Sequence, residues 1–375
     1  MSESYYPITN RLEESRLESA EHCYDDGHIK GSKQHSLFVY MMSEEGLLHA
    51  FKECRKGVAW KYSVQKFEMF LGDNIAKLHE QLARGEGVTK GFVCFCIRER
   101  GKMRHIQAVH IMERVVQKSL CMNALIPILK PSLIYDSGAS LKGKGPTFTR
   151  KRIVTHLTRY YREHGSNKGY ILITDYHDYF GSIDHAVLID MLKKRIYDED
   201  LLNLVLFYIN CFGDVGLGLG SEVSQVLAIF FLYPIDHFMK EVRHCRYYGR
   251  YMDDSYTIAS TREELQAHLE AQMPLLEKMH INLNRKKTKI VAIDKPFIFM
   301  KCIYRLTSTG KVERRPVSPT IRNQRRKVKA LLRIHASCDT MNSVIASYNG
   351  VYKELKYRRG QNDLHLLKRR ISRRQ

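Results

Sequence analysis

The chain has 375 residues, 44% of them hydrophobic, which excludes a disordered tail and leaves room for two or three subdomains around a sizeable core. Its 61 Lys and Arg against 40 Asp and Glu give a formal charge of +21, which points to a polyanionic partner, nucleic acid first and an anionic membrane surface second. The nine cysteines form no CxxC pair and no Cys/His spacing suited to zinc, and no run of about 18 uncharged apolar residues occurs. A cytoplasmic protein with reduced thiols, no signal peptide and no membrane span is expected.

In chain order, the first thirty residues are polar and acidic, and no internal repeat appears. Leu47, Leu48 and Phe51, then Phe67, Phe70, Leu71, Ile75 and Leu78, recur at spacings of three and four, which predicts helix over 44–85. Gly91 to Ile97 and Met103 to Val109 are β-rich runs around Glu99-Arg100-Gly101, a hairpin that carries Lys102 and Arg104. Helical spacing returns over 111–130, and the glycines of 136–146 make that stretch a loop. Its Lys142-Gly143-Lys144-Gly145 lacks the spacing of a Walker sequence and is assigned to template backbone contact.

Tyr170 to Thr174 is a short apolar strand that ends at Asp175, with a helix beyond it over 183–196. Arg246 to Met252 and Ser255 to Ala259 flank Asp253-Asp254 as a second hairpin, with both carboxylates at its turn. Thr261 and Glu264 form a capping box for a helix with Leu265, Leu269 and Leu276 on its inner face. The alternation is α+β rather than regular βαβ. Residues 311–375 hold eighteen Lys or Arg and four Asp or Glu, an excess of 14 positive charges that is two thirds of the total. Neutralising phosphates with such a surface makes binding steeply salt-dependent.

An Asp-Asp pair alone is most often a solvated turn. A third aspartate at the end of a neighbouring apolar strand makes the cluster costly unless cations neutralise it. Two Mg²⁺ about 3.5–4 Å apart, or Mn²⁺ in their place, would do so and would suit phosphoryl transfer.

These residues carry a family resemblance. Tyr251-Met252-Asp253-Asp254 resembles the YxDD box of reverse transcriptases, and Asp175 to His185 resembles the family's first catalytic box, including its Ser182-Ile183-Asp184-His185 segment. Between them, Gly220-Ser221-Glu222-Val223-Ser224-Gln225 resembles the box that lies against template and incoming nucleotide. Its Ser224-Gln225 ending is more similar to diversity-generating retroelements and defence-associated bacterial enzymes than to introns or retrons. Lys102 to Arg104 with Arg114 to Gln117 resembles the fingers, Asn284 to Thr288 a later box with a lysine near the pyrophosphate, and 297–304 the hairpin that grips the primer.

The resemblance implies a right-hand polymerase fold: an N-terminal extension (1–44), fingers (45–130), palm (131–309) and a basic helical thumb (310–375). It implies Asp175, Asp253 and Asp254 as catalytic metal ligands, with the Tyr176 carbonyl as a further oxygen. Asp178 and Asp184 are expected to cap or orient neighbouring structure. Lys102, Arg104, Phe180, Gly220, Gln225 and Lys287 would meet the nucleotide. Phe180 would exclude a 2′-hydroxyl, and Lys287 would protonate the leaving pyrophosphate. Lys142, Lys144, Tyr251, Met252, Arg322, Arg325, Arg326 and Lys329 would meet template and primer, the last four on a thumb helix.

The implied activity is RNA-directed DNA synthesis from dNTPs, with an RNA template and an RNA–DNA hybrid product. A structured non-coding RNA is the expected template, in antiphage defence or a diversity-generating retroelement. A protein partner or a second copy of the chain is left open, as are untemplated or protein-primed synthesis and a non-catalytic RNA-binding scaffold.

Overall fold

The computed structural model describes residues 31–99 and 102–372, with the backbone alone described at residues 99, 102, 364, 365, 367, 368 and 370–372. The acidic stretch up to residue 30 and the turn residues Arg100 and Gly101 lie outside the described residues. The first described helix, α1 (Gly31–Met42), places Phe38 and Met41 in the principal core, so this part of the N-terminal extension is built into the main body.

The helical stretch expected over 44–85 is three helices: α2 (Glu44–Cys54), α3 (Tyr62–Met69) and α4 (Leu71–Ala83). Gly57 takes a left-handed φ of 73° in the first break, and Phe70 leaves helical geometry at φ −117°, ψ 43° in the second. Each helix still turns an apolar stripe inward, and Leu47, Phe51, Phe67, Ile75 and Leu78 are all buried, whereas Phe70 at the second break is exposed. The hairpin follows as β1 (Phe92–Glu99) and β2 (Lys102–Val109), antiparallel with Ile97 opposite Arg104. Next come α5 (Ile111–Leu120) and a π-turn over Cys121–Leu125.

The central sheet contains β3 (Tyr170–Thr174), β4 (Tyr248–Tyr251), β5 (Asp254–Ala259) and β6 (Lys289–Ala292) in the order β4-β5-β3-β6, every neighbour antiparallel. One face packs Ile171, Ile173, Tyr256 and Ile258 against Ile153, Leu157 and Tyr160 of α6 (Pro146–His164). The other meets Leu265 of α10 (Arg262–Ala271), which begins where Thr261 accepts the Glu264 amide, as its sequence predicts. Leu276 lies instead on a separate short helix, Met273–Lys278, because Pro274 starts a new turn. Helices α7 (His185–Lys193), α8 (Glu199–Asn210) and α9 (Glu222–Phe231) share the principal core with α1, α2 and α5.

After the sheet, β7 (Phe297–Phe299), β8 (Cys302–Leu306) and β9 (Val312–Pro316) form a three-stranded sheet. Helices α11 (Ser318–Arg333), α12 (Cys338–Glu354) and α13 (Arg358–Ser372) close the chain around a small core of their own: Val328, Met341, Ile345 and Tyr352. Leu355 and an Arg150–Glu354 ion pair (2.7 Å) fasten this unit to α6. Among the described residues no helix is long and apolar enough to cross a membrane.

Candidate active site

The aspartates meet because of strand register. Strands β3 and β5 run antiparallel with Thr174 opposite Ser255, their hydroxyls hydrogen-bonded to each other in the buried interior. Side chains alternate across a strand, so the next pair, Asp175 and Asp254, points to the opposite face. Asp253 sits beside them in the two-residue turn that joins Tyr251 to Asp254. Asp175 is buried, and Asp253 and Asp254 are half-buried.

The turn is held from behind. Met252 takes a left-handed φ of 53°, a conformation unusual for a long side chain. Its carbonyl accepts a 2.9 Å hydrogen bond from Arg250 Nη1. That guanidinium is wholly buried and forked onto Asp236, with Nε to Oδ1 at 2.8 Å and Nη2 to Oδ2 at 2.6 Å. Nη2 also donates to the Ile229 carbonyl, and the Tyr248 hydroxyl donates to Asp236. Sequence reading misses this pair, because apolar periodicity says nothing about a buried charge whose partner lies on another element.

Asp253 borders a cleft of about 1070 Å³ walled by β2, the 176–181 turn, the 217–219 loop and the 282–287 turn, with Asp175 and Asp254 set behind it. The role of Asn284 is missed as well: its amide Nδ2 donates to Asp175 Oδ2 at 2.8 Å while its backbone N–H donates to the Asp175 carbonyl. Lys287 closes the same turn, its ammonium 2.6 Å from both Asp175 oxygens. Arg104 is exposed on the opposite wall, and its charge opposes protonation of Asp253. Lys102 lies beside it on β2, its side chain outside the described residues. Tyr176 and half-buried Phe180 line the floor, and the Leu217 amide donates to the Phe180 carbonyl at 2.7 Å.

The remaining candidates are distributed more widely. Gly220, at φ 127°, lies so close to β2 that an added Cβ would be 2.7 Å from the Gln107 carbonyl oxygen. Gly220 and exposed Gln225 border a neighbouring pocket of about 320 Å³ with Arg114 and Lys118, not the cleft that Asp253 borders. Tyr251 and Met252 are half-buried in the hairpin. Lys142 is exposed, whereas Lys144 turns inward, donates to the Tyr135 and Ser137 carbonyls at 2.8 Å and lies over the Tyr135 and Phe148 rings. Its ammonium therefore braces the loop. Arg322, Arg325, Arg326 and Lys329 are exposed on α11, where Arg325 is bridged to Asp363 of α13. Asp184 caps α7 by accepting the Val187 amide, as expected, while Asp178 makes no side-chain cap and holds its carboxyl over Gly181.

Burial raises the Asp253 carboxyl above the ordinary range, with the Asp175 charge a lesser cause. Burial, then the charges of Asp253 and Asp175, push Asp254 up to about 7. Among the described residues no three His, Cys, Asp or Glu side chains are already drawn into a cage around one point. The donor set still suits a hard divalent cation: mutually repelling, partly desolvated carboxylates, one already gripping the Lys287 cation.

A pH dependence follows. In the unfolded chain an aspartate titrates near about 3.9, so the folded protein holds a proton on Asp254 that the unfolded chain has lost. That contribution to stability is full at low pH and disappears as pH rises through about 7. A bound cation must displace the proton. Apparent Mn²⁺ affinity, measured by titration calorimetry, should therefore rise close to ten-fold from about pH 5.5 to about 6.5 and level off above ~7.5. Asp254→Asn should flatten the curve; a wild-type affinity independent of pH would contradict the assignment.

A family model described as reverse transcriptase (RNA-dependent DNA polymerase) matches residues 91–331. Protein YkfC of Escherichia coli is 24% identical over 251 residues, 54% of this chain and 63% of that protein. This chain thus spans under two thirds of that relative's length. Among solved structures, telomerase from Candida albicans in complex with a TWJ fragment of telomeric RNA aligns over 75% of this chain and 56% of its own, at 11% identity and TM-score 0.48. Apo telomerase from Candida tropicalis aligns over 65% and 52%, at 13% identity and TM-score 0.45.

Proposed function

The chain belongs to the reverse transcriptase (RNA-dependent DNA polymerase) family, and we propose from that premise that it copies a dedicated structured RNA into DNA. Its mixed α+β architecture is the right-hand polymerase fold. We assign fingers to 45–130, palm to 131–309 and thumb to 310–375. The observation that carries the activity is the β3–β5 register, which sets Asp175 beside Asp254, next to Asp253 at the edge of a cleft walled by Arg104, Phe180 and Lys287.

In this reading Asp175, Asp253 and Asp254, with the Tyr176 carbonyl, hold two Mg²⁺, which when bound neutralise charge on the attacking 3′-hydroxyl and the leaving pyrophosphate. The chain's own groups position the reactants. Arg104 can grip a phosphate in bidentate fashion, and Lys102 adds a point charge. Lys287, released from Asp175, can donate its proton to the departing pyrophosphate. The half-buried turn Tyr251-Met252 supports the template and primer strands, and Gly220 and Gln225 meet the nucleotide from the neighbouring pocket.

Phe180 lies on the cleft floor, where a ring beneath the sugar would collide with a 2′-hydroxyl. Phe180→Ala should lower the preference for dNTPs over rNTPs by about ten-fold or more, measured as the ratio of kcat/KM values. An unchanged ratio would remove Phe180 from sugar selection.

The Ser224-Gln225 ending supports antiphage defence or a diversity-generating retroelement as the setting. Primer extension on an RNA template with Mg²⁺ tests the activity, and no incorporation with any template or metal would overturn it. Sequencing DNA made in cells tests templating: a copied RNA leaves a defined complement.

A further inference from the structure

The basic C-terminal region does more than present the α11 face. Strand β9, the end of α12 and the start of α13 enclose a groove of about 1100 Å³ that shares no lining residue with the catalytic cleft. Lys311, Arg314 and Arg315 line one wall, and Lys353, Lys356 and Arg358 the other. All but half-buried Arg314 are exposed.

The acids nearest these charges are already paired with other groups. Glu313, in the groove, is bridged to Arg305 at 2.8 Å. Glu354, between Lys353 and Lys356, turns away to Arg150, with Nε to Oε1 at 2.7 Å and Nη2 to Oε2 at 2.8 Å, and accepts from Thr147 at 2.9 Å. None of the six wall cations forms a salt bridge with an acid among the described residues. The positive φ of 53° at Lys356 turns the chain sharply between α12 and α13, so both helix ends supply cations to one wall.

We infer that this groove is a second nucleic-acid site, which takes the phosphodiester backbone of the RNA outside the stretch being copied. Six cations on two walls exceed what a single nucleoside triphosphate requires, and they form the extended positive surface that follows a backbone. The identity of the strand rests on the proposed polymerase activity; the backbone site itself does not.

The test compares a short primer–template, long enough only for the cleft, with the same duplex bearing a folded RNA extension. The variant is Arg315→Gln/Lys353→Gln/Lys356→Gln/Arg358→Gln, with circular dichroism melting as the check on folding. Wild type should bind the extended RNA at least about ten-fold more tightly, with a salt slope steeper by roughly three. The variant should lose both differences and still extend the short primer within about two-fold of wild type. Retention of the affinity gain and slope by a folded variant would overturn the site, as would equal weakening on the short substrate, which would assign the groove to the product cleft. If neither protein incorporates nucleotide but the slope difference persists, the polymerase reading fails and the groove stands. Should the fourfold variant not fold, Lys353→Gln/Lys356→Gln, exposed on the α12–α13 junction, should give about half the slope change; an unchanged slope there would equally overturn the site.

Discussion

Asp253→Asn should reduce nucleotide incorporation by at least about 10³-fold, the loss of roughly 4 kcal/mol of transition-state stabilisation, while leaving RNA affinity within about two-fold. The substitution keeps the side chain's shape and removes one charge from a cluster that pays for its function with electrostatic strain: burial and the neighbouring Asp175 already raise the Asp253 carboxyl. The same variant should therefore melt at a higher temperature than wild type in cation-free buffer near pH 8, because a repulsion present in the folded state has been removed. Paired loss of activity and gain of stability is the signature of a site built for a cation rather than for the fold. Single-turnover primer extension and calorimetric melting check the two halves. Incorporation within about ten-fold of wild type, or a lower melting temperature, would refute the metal-ligand assignment.

Much of this site is readable from the chain because short-range rules determine it. β-rich runs on either side of Asp253-Asp254 require a hairpin, and Tyr170 to Thr174 requires a strand that ends at Asp175. Thr261 caps its helix by a local hydrogen bond that its spacing from Glu264 predicts, and Asp184 caps α7 in the same local way. What sequence reading misses depends on distance in space. The spacing over 44–85 does not reveal two breaks, since each of the three helices turns its own apolar stripe to the same core. Lys144 resembles a phosphate contact in sequence, but Tyr135 and Ser137 offer it carbonyls only once the loop is folded. Asn284 is recognisable as part of a turn; its grip on Asp175 depends on the 282–287 turn running beside the end of β3.

Arg250→Met should cut incorporation by at least about 10²-fold and destabilise the fold by roughly 3–5 kcal/mol, because it leaves Asp236 buried without a counter-charge. Those two losses have different causes, and a second variant separates them. Arg250→Met/Asp236→Leu/Tyr248→Phe removes the whole buried polar group, so no charge or hydroxyl is orphaned; apolar replacements of buried ion pairs are often neutral or stabilising. Its melting temperature should return close to wild type. Activity should not, because the hydrogen bond from Arg250 Nη1 to the Met252 carbonyl is still missing. That bond fixes a turn whose left-handed residue immediately precedes Asp253, and a displacement of about 1 Å at a reacting centre can cost 10²-fold. The triple variant should also need several-fold more Mg²⁺ to reach half-maximal rate, a shift that a purely structural pair would not produce. Full recovery of rate and Mg²⁺ dependence in the stable triple variant would reduce Arg250 to a packing residue. Recovery of stability alone makes it the residue that positions the catalytic turn.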